Sequence, residues 1–203
     1  MAFPLDLPRD RVVALERTLT AGELERAERF AFPEQRRRWV VARASLRELL
    51  GGRLGVRPEA VRLELDADGK PHVRGPLRFN LAHSHELAVV ALTRDREVGV
   101  DVERLRPLHG RETLADEVLA RDERDALAMV PEERRDEVLL EAWTRKESYL
   151  KARGVGLRMA PAEVAVSLTG PARLLRAPDA DRWSLRAFVP APGYVGAVTV
   201  ARL

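Results

Sequence analysis

Hydrophobic positions recur with two different periods along the chain, which predicts a protein of mixed helices and strands. Thr20 to Glu23 has the capping-box pattern that opens a helix, predicted here through about Phe30. Pro33 suits the first turn of a second helix over 34–50, which we expect the pair Gly51-Gly52 to end. Strand-like alternation follows at 61–65, 79–82, 87–93 and 98–103, with a turn at 66–69 and a tight hairpin loop at 94–97.

The second half of the chain repeats this order of elements. Helical patterns are predicted over 112–129 and 131–152, with Gly154 placed to cap the second helix. The tail returns to strands at 163–168, 183–189 and 194–200, between Pro- and Gly-rich turns. Helix-plus-sheet units therefore occur twice, an order that permits a duplicated α+β fold, although no repeat of identical residues is evident.

Composition excludes several classes of protein. The 203 residues are 45% hydrophobic and 33% charged, as in ordinary globular proteins. No apolar run reaches the roughly 20 residues of a membrane helix, and the N-terminus lacks the layout of a secretory signal. Because the chain has no cysteine, a disulfide framework is excluded and a reducing cytoplasm is the expected location.

Positive charge is carried almost entirely by arginine. The net charge is +3 and the sequence pI about 9.8, yet only three of the 35 Lys and Arg residues are lysines, at positions 70, 146 and 151. An arginine bias of this kind is typical of a GC-rich genome. Lysine at three positions of such a chain indicates places where a compact ammonium group is needed.

Two carboxylates, Asp101 and Glu103, lie two residues apart near the end of a predicted strand. Side chains with a period of two share a face, so the carboxylates repel each other unless a cation lies between them. Oxygen ligands of this kind suit Mg²⁺ or Mn²⁺. The same Val-Asp-Val-Glu alternation also fits an exposed polar face of a half-buried strand.

Trp143, Glu147 and Lys151 lie on one side of the last predicted helix, at spacings of i, i+4 and i+8. A Glu–Lys pair at this spacing is also the commonest solvated ion pair on a helix, worth roughly 0.3–0.5 kcal/mol. Lys146 fits a plain surface cation equally well.

Histidines and further cations supply candidate phosphate contacts. His83 and His85 form a His-x-His pair, but without cysteine or a third histidine nearby a zinc site is not favoured. A histidine that donates to a phosphate or caps a turn fits better. The run at 36–38, Arg43 and Lys70 also suit phosphates, although each is equally ordinary as a solvated charge.

The order and spacing of these segments closely resemble the Sfp-type (surfactin-synthetase-activating) 4′-phosphopantetheinyl transferases. The matching segments are Gly69-Lys-Pro71, Phe79-Asn-Leu-Ala-His-Ser84, Val98-Gly-Val-Asp-Val-Glu103 and Trp143-Thr-Arg-Lys-Glu-Ser-Tyr-Leu-Lys151. The resemblance covers about residues 20–157, and all three lysines fall inside it. It departs at Ala82, where the family usually has Ser. It implies an α+β fold of two similar α/β half-domains in pseudo-twofold arrangement, expected at 1–103 and 104–203.

The resemblance also implies an activity. Such an enzyme moves the 4′-phosphopantetheine arm of coenzyme A to a serine of an apo acyl or peptidyl carrier protein and releases 3′,5′-ADP. Carried over by residue, Asp101, Glu103 and Glu147 ligate Mg²⁺ (or Mn²⁺), and Glu147 is also a candidate base for the serine hydroxyl. Lys151 would stabilise the departing oxygen. Contacts to coenzyme A are expected from Arg38, Arg43, Lys70, His83 and the backbone of Ala82.

Partners and competing functions complete the expectations. One chain that holds both half-domains is expected to be a monomer, and no nucleic acid or membrane partner is expected. A basic nucleic-acid-binding protein would fit the pI, but aromatic residues are only 5% and no basic–aromatic interleaving is present. A coenzyme A-binding module without transferase activity and a metal-dependent phosphohydrolase also fit these residues. Whether the carrier serves polyketide, nonribosomal peptide or fatty-acid synthesis stays open.

Overall fold

The computed structural model describes residues 1–203, with the side chain of residue 157 left out. The N-terminal half contains β1 (Ala2–Pro4), α1 (Arg9–Glu16), α2 (Ala21–Glu28), α3 (Pro33–Leu54), β2 (Glu64–Leu65), β3 (Pro71–His72), β4 (Leu77–Ser84) and β5 (Leu87–Arg94). The C-terminal half contains β6 (Val98–Arg104), α4 (Arg111–Val118), α5 (Arg121–Ala128), α6 (Arg135–Arg153), β7 (Ala165–Val166), β8 (Leu174–Arg176), β9 (Trp183–Phe188) and β10 (Tyr194–Ala201).

The two halves have the same topology. In each, a strand is followed by two short helices, one long helix, a two-stranded pair and a final hairpin. The strand order is β1-β5-β4 in the first sheet and β6-β10-β9 in the second, so in both sheets the last strand of the half lies between the other two. All these pairings are antiparallel. The predicted α+β fold is confirmed, and its elements repeat in order.

A buried ion pair anchors the long helix of each half. In the first half Arg47 of α3 donates to Glu23 Oε2 at 2.7 Å and to the carbonyls of Pro58 and Val61. In the second half Lys146 of α6 donates to the Glu123 carboxylate of α5 and to the carbonyls of Pro161, at 3.1 Å, and Val164, at 2.6 Å. The two cations, the two glutamates and the two Pro-x-x-Val carbonyl pairs correspond one to one. Lys146 is therefore a fully buried structural cation. The alternative prediction, that it is a plain surface cation, is wrong.

Strand β6 lies directly against helix α6. Gly99 makes this possible, because a Cβ atom there would come within 2.1 Å of the Ser148 carbonyl oxygen. The other face of β6 packs Val100 and Val102 into a cluster with Ala82 and Val89 of the first sheet. Strand β6 thus joins the two halves and places its polar face beside α6.

Several predicted elements differ from the observed ones. The predicted hairpin around 94–97 is wrong, since both edges of β5 are occupied by β1 and β4 while β6 pairs with β10. Helix α3 continues past Gly51 to Leu54 and ends at Gly55, whose φ is 69°. The single helix predicted over 112–129 is two helices, because Leu119 is extended and the Glu123 carboxylate caps α5 by accepting the Ala120 N–H at 2.8 Å. Helix α1 and strands β3 and β8 were not predicted.

Other predictions agree with the structure. The capping box at Thr20 and Glu23 is present, and Gly154 caps α6 with a φ of 67°. The division of the chain after residue 103 stays a prediction; that boundary falls inside β6, which hydrogen-bonds to β10 of the C-terminal half.

Candidate functional site

Asp101 is the most enclosed acidic group of the site. Only 5% of the residue is exposed, and Lys151 of α6 donates to its Oδ1 atom at 2.6 Å. Its other oxygen, Oδ2, is buried without a hydrogen-bond partner among the described residues. Burial raises the pKa of Asp101 from 3.8 to about 7, against the opposing charge of Lys151 and with the help of Glu147 and Glu103. The carboxylate therefore lies where a second cation would be bound strongly.

Glu103 lies two residues further along the same face of β6, at the rim of the site. Its Oε2 atom accepts a hydrogen bond from Ser84 at 2.8 Å and an ion-pair contact from Arg106 at 3.0 Å. Neither contact uses Oε1. The negative charge of Glu103 also raises the pKa of both Asp101 and Glu147. This effect is consistent with the prediction that Asp101 and Glu103 lie on one side of the strand.

Glu147 projects from the middle of α6, one helical turn before Lys151. Among the described residues its carboxylate has no hydrogen-bond or ion-pair partner. Burial raises the pKa of Glu147, and the negative charge of Glu103 adds to that shift while Lys151 opposes it. Glu147, Lys151 and Lys70 line a common cleft of about 280 Å³. The sequence spacing on α6 thus brings Glu147 and Lys151 to the carboxylates of β6.

Lys70 closes one side of this cleft from the turn between β2 and β3. Its Nζ atom donates to Glu97 Oε2 and to the Val98 carbonyl, both at 3.2 Å, and to the Ala152 carbonyl at 3.4 Å. These partners lie at the start of β6 and the end of α6. Lys70 therefore connects the first half of the chain to both elements that carry the acidic groups.

The charged groups of the site also act on His83. Burial lowers the pKa of His83, and the positive charges of Lys151 and Arg38 lower it further, against Glu103. Arg38 is held by two hydrogen bonds of 2.8 Å to Asp6. Ala82 is buried in the cluster that contains Val89 and Val100. A neutral His83 and a fixed Arg38 form a polar surface suited to phosphate oxygens.

Arg43 is not brought to this cleft. Its guanidinium pairs with Glu23 Oε1 at 2.8 Å and lies 5.9 Å from the centre of the Trp39 ring. Burial lowers its pKa. Because Glu23 is the buried anchor of α3, Arg43 belongs to the network that holds that helix. The expected contact of Arg43 with coenzyme A stays a prediction.

The acidic groups do not form a closed metal site. Across the part of the chain that the structure describes, no group of three or more His, Asp or Glu side chains is already arranged around a common point. Instead, the ammonium group of Lys151 lies on Asp101. The donor set nevertheless fits a hard divalent cation, since Asp101 has an orphaned buried oxygen and the Glu147 carboxylate has no partner among the described side chains.

Sequence reasoning missed two residues that connect the halves at this site. Asn80 Oδ1 accepts the Val100 N–H at 2.8 Å, and Ser84 Oγ accepts the Arg104 N–H at 3.2 Å. Both are buried residues of β4. Two polar residues four positions apart, and therefore on one face of the strand, were the signal available in the sequence.

Comparison with known proteins identifies the family of this chain. A family model described as the 4′-phosphopantetheinyl transferase superfamily matches residues 97–199, and one described as 4′-phosphopantetheinyl transferase, N-terminal, matches residues 8–95. The 4′-phosphopantetheinyl transferase HetI of Nostoc is 41% identical, over 98% of this chain and 85% of its own. The chain belongs to the 4′-phosphopantetheinyl transferase superfamily. The resemblance found in the sequence is confirmed.

Two further similarities are more distant. The 4′-phosphopantetheinyl transferase AcpT of Salmonella typhi is 36% identical over 68% of this chain and 70% of its own. The solved holo-[acyl-carrier-protein] synthase of Thermotoga maritima overlaps 52% of this chain and 62% of its own, with a TM-score of 0.42 and 20% identity. The boundary between the two matched family models, at residues 95–97, lies just before β6. No helix in the described structure has the length and apolar character needed to cross a bilayer.

Proposed function

We propose that this transferase moves 4′-phosphopantetheine from coenzyme A to a serine hydroxyl of an apo carrier protein and releases 3′,5′-ADP. The observation that carries the proposal is the contact between Lys151 of α6 and Asp101 of β6. This contact brings a compact cation and a buried acid together beside Glu147, in a cleft between the halves. A cleft that combines several cations with several carboxylates suits a substrate made of two linked phosphates and a divalent ion.

The residues that would hold Mg²⁺ (or Mn²⁺) are Asp101, Glu103 and Glu147. Each has a carboxylate oxygen that accepts no hydrogen bond from the described protein, and hard divalent ions prefer such oxygens. When bound, the ion supplies neutralisation of the diphosphate charge and fixes its orientation. Lys151 contacts Oδ1 of Asp101, and we expect its ammonium group to move towards the phosphates once coenzyme A is bound, because they carry more negative charge.

The remaining roles follow from charge and position. The serine oxygen forms a bond to the β-phosphorus of coenzyme A as the bond from that phosphorus to the bridging oxygen breaks. Glu147 receives the serine proton, a role that its raised pKa favours. Lys151 stabilises the negative charge on the oxygen of the departing 3′,5′-ADP, and Lys70, His83 and Arg38 bind phosphate oxygens.

A mass-spectrometric assay tests the proposal. The protein is incubated with coenzyme A, Mg²⁺ and a panel of apo carrier proteins, and the added phosphopantetheine arm is measured on the carrier. We expect Asp101→Ala and Glu103→Ala to lose transfer while they keep the fold. Formation of 3′,5′-ADP without modified carrier would instead show a phosphohydrolase, and full activity of either variant would remove that residue from the site.

The same proposal covers the state and location of the protein. Both half-domains that form the cleft come from one chain, which supports a monomer. A chain without cysteine is compatible with a reducing cytoplasm. Light scattering in the presence of coenzyme A gives the mass in solution, and a mass of two chains would contradict the first of these expectations.

A further inference from the structure

Ser84 is a buried hydroxyl at the end of β4. Only 7% of the residue is exposed. A serine hydroxyl has one proton to donate, and here it goes to Glu103 Oε2 at 2.8 Å, so His85 Nδ1, 3.2 Å from the same oxygen, is placed as a donor to it. The serine oxygen in turn accepts the backbone N–H of Arg104 at 3.2 Å. Ser84 therefore contacts both the side chain of one candidate ligand and the backbone that follows it.

Asn80 makes an equivalent contact four residues earlier on the same strand. Residues 80 and 84 share a face of β4, because side chains of a strand repeat with a period of two. Asn80 accepts the Val100 N–H at 2.8 Å. Asn80 and Ser84 therefore hydrogen-bond to the backbone of β6 on either side of the segment that carries the two carboxylates. Strands β4 and β6 belong to different sheets, and these side chains replace the backbone bonds that one sheet would provide.

The geometry at Glu103 shows what Ser84 adds. Ser84 and Arg106 both contact Oε2, which leaves Oε1 free of either contact. The side chain of Arg106 is 40% exposed, and an ion pair this exposed to water does little to fix the position of the Glu103 carboxylate. Ser84 is the enclosed partner of the two.

We propose that Ser84 is a positioning residue that orients Glu103 for a divalent cation shared with Asp101 and Glu147. This inference rests on the proposed function, because it assumes that cation. Partners that orient a metal ligand typically change metal affinity by about 10- to 100-fold when they are removed. In this role the hydroxyl acts on the ion through Glu103 and takes no part in the bond changes.

The test is a Mn²⁺ titration of the wild type and of Ser84→Ala, in which electron paramagnetic resonance measures free Mn²⁺. Coenzyme A is present at saturation, and a titration without protein is subtracted. We expect Ser84→Ala to bind Mn²⁺ about tenfold more weakly or worse. Its transfer rate should return towards the wild-type value at saturating Mn²⁺, because only the affinity for the ion has changed. Equal affinities would overturn the proposal.

Ser148→Ala is the matched control. Its hydroxyl is also buried, but it bonds to Thr199 and to the Arg145 carbonyl and touches none of the three carboxylates. We expect its Mn²⁺ affinity to stay within about twofold of the wild type. An equal loss of affinity in Ser148→Ala would show a general effect of lost buried hydroxyls and would contradict the role of Ser84.

An isosteric pair keeps the test decisive if Ser84→Ala does not fold. Ser84→Thr retains the hydroxyl and Ser84→Val replaces it with a methyl group of similar size. Tighter Mn²⁺ binding by Ser84→Thr than by Ser84→Val supports the proposal, and equal binding overturns it.

The wild type distinguishes failure of the metal site from failure of the role of Ser84. Absence of Mn²⁺ binding there removes the metal site itself, whereas wild-type binding that Ser84→Ala leaves unchanged removes only the role of Ser84.

Discussion

The two halves of the chain hold their long helices in the same way, yet only one helix carries reactive groups. Arg47 in α3 and Lys146 in α6 each join a buried glutamate to a Pro-x-x-Val carbonyl pair. The residue that follows is a glutamate in both helices, Glu48 and Glu147. Glu48 is exposed to solvent, whereas Glu147 lines the cleft and has a raised pKa.

The difference arises from what lies against each helix. Strand β6 reaches α6 through Gly99 and presents Asp101, whereas the equivalent strand β1 is three residues long and carries no charged side chain. One turn further along the helices, Lys151 of α6 corresponds to Gly52 of α3. The same buried ion pair therefore holds both long helices in place. Only the enclosure of Glu147 beside β6 makes that glutamate a candidate base.

The largest predicted effect separates the two glutamates. We expect Glu147→Gln to lower the rate of transfer about 1,000-fold, because the amide neither accepts the serine proton nor binds a divalent ion as well. Glu48→Gln is the matched change in the other half and should stay within about twofold of the wild type. The initial rate of carrier modification, measured by mass spectrometry, checks both. Equal rates for the two variants would contradict the claim that only Glu147 takes part in the reaction.

The next effect tests the shared anchor. Lys146→Met and Arg47→Met each leave a buried glutamate without its cation, which costs about 3–5 kcal/mol of unfolding free energy. Urea unfolding followed by circular dichroism measures the loss. A loss in only one variant would show that the anchors are not equivalent, and wild-type stability in both would remove them as anchors.

The smallest effect concerns pH and Asp101. A carboxyl whose pKa rises from 3.8 to about 7 on folding keeps its proton in the folded state, so stability falls as pH rises from about 4 to about 7. Asp101→Asn removes this penalty. We expect its stability relative to the wild type, in EDTA, to increase by about 2–3 kcal/mol between pH 5 and pH 8, at about 1.4 kcal/mol per pH unit. Unfolding in urea at the two pH values checks this.

The opposite outcome of that experiment is equally clear. A stability difference between Asp101→Asn and the wild type that does not change with pH would show that Asp101 ionises normally. The variant should also have no transfer activity, since it lacks the carboxylate that β6 contributes. A gain in stability together with a loss of activity would mark Asp101 as a group kept for chemistry rather than for folding.

Local patterns predicted a large part of this molecule from the sequence. The capping box, the two long helices, the main strands and the shared face of Asp101 and Glu103 all follow from short-range periodicity. The spacing of Glu147 and Lys151 placed both on one side of α6. These features depend on residues a few positions apart, which is the range over which periodicity carries information.

Predictions that needed a distant partner failed. The hairpin of β5 and β6 was wrong because the partner of β5, β1, lies at the other end of the half-domain. The burial of Lys146 was missed for the same reason, because its partner Glu123 lies on another helix. The repeat was not found from the sequence, because the corresponding segments Ser45-x-Arg-Glu48 and Thr144-x-Lys-Glu147 share only one identical residue and are related by their contacts.

The most direct measurement is the anomalous diffraction of Mn²⁺ in crystals grown with coenzyme A. We predict one strong peak within coordination distance of carboxylate oxygens of Asp101, Glu103 and Glu147, with the Lys151 ammonium moved from Asp101 to the phosphates. A Mn²⁺ ion bound away from Glu147, or a Lys151 that still lies on Asp101 beside bound coenzyme A, would contradict the account.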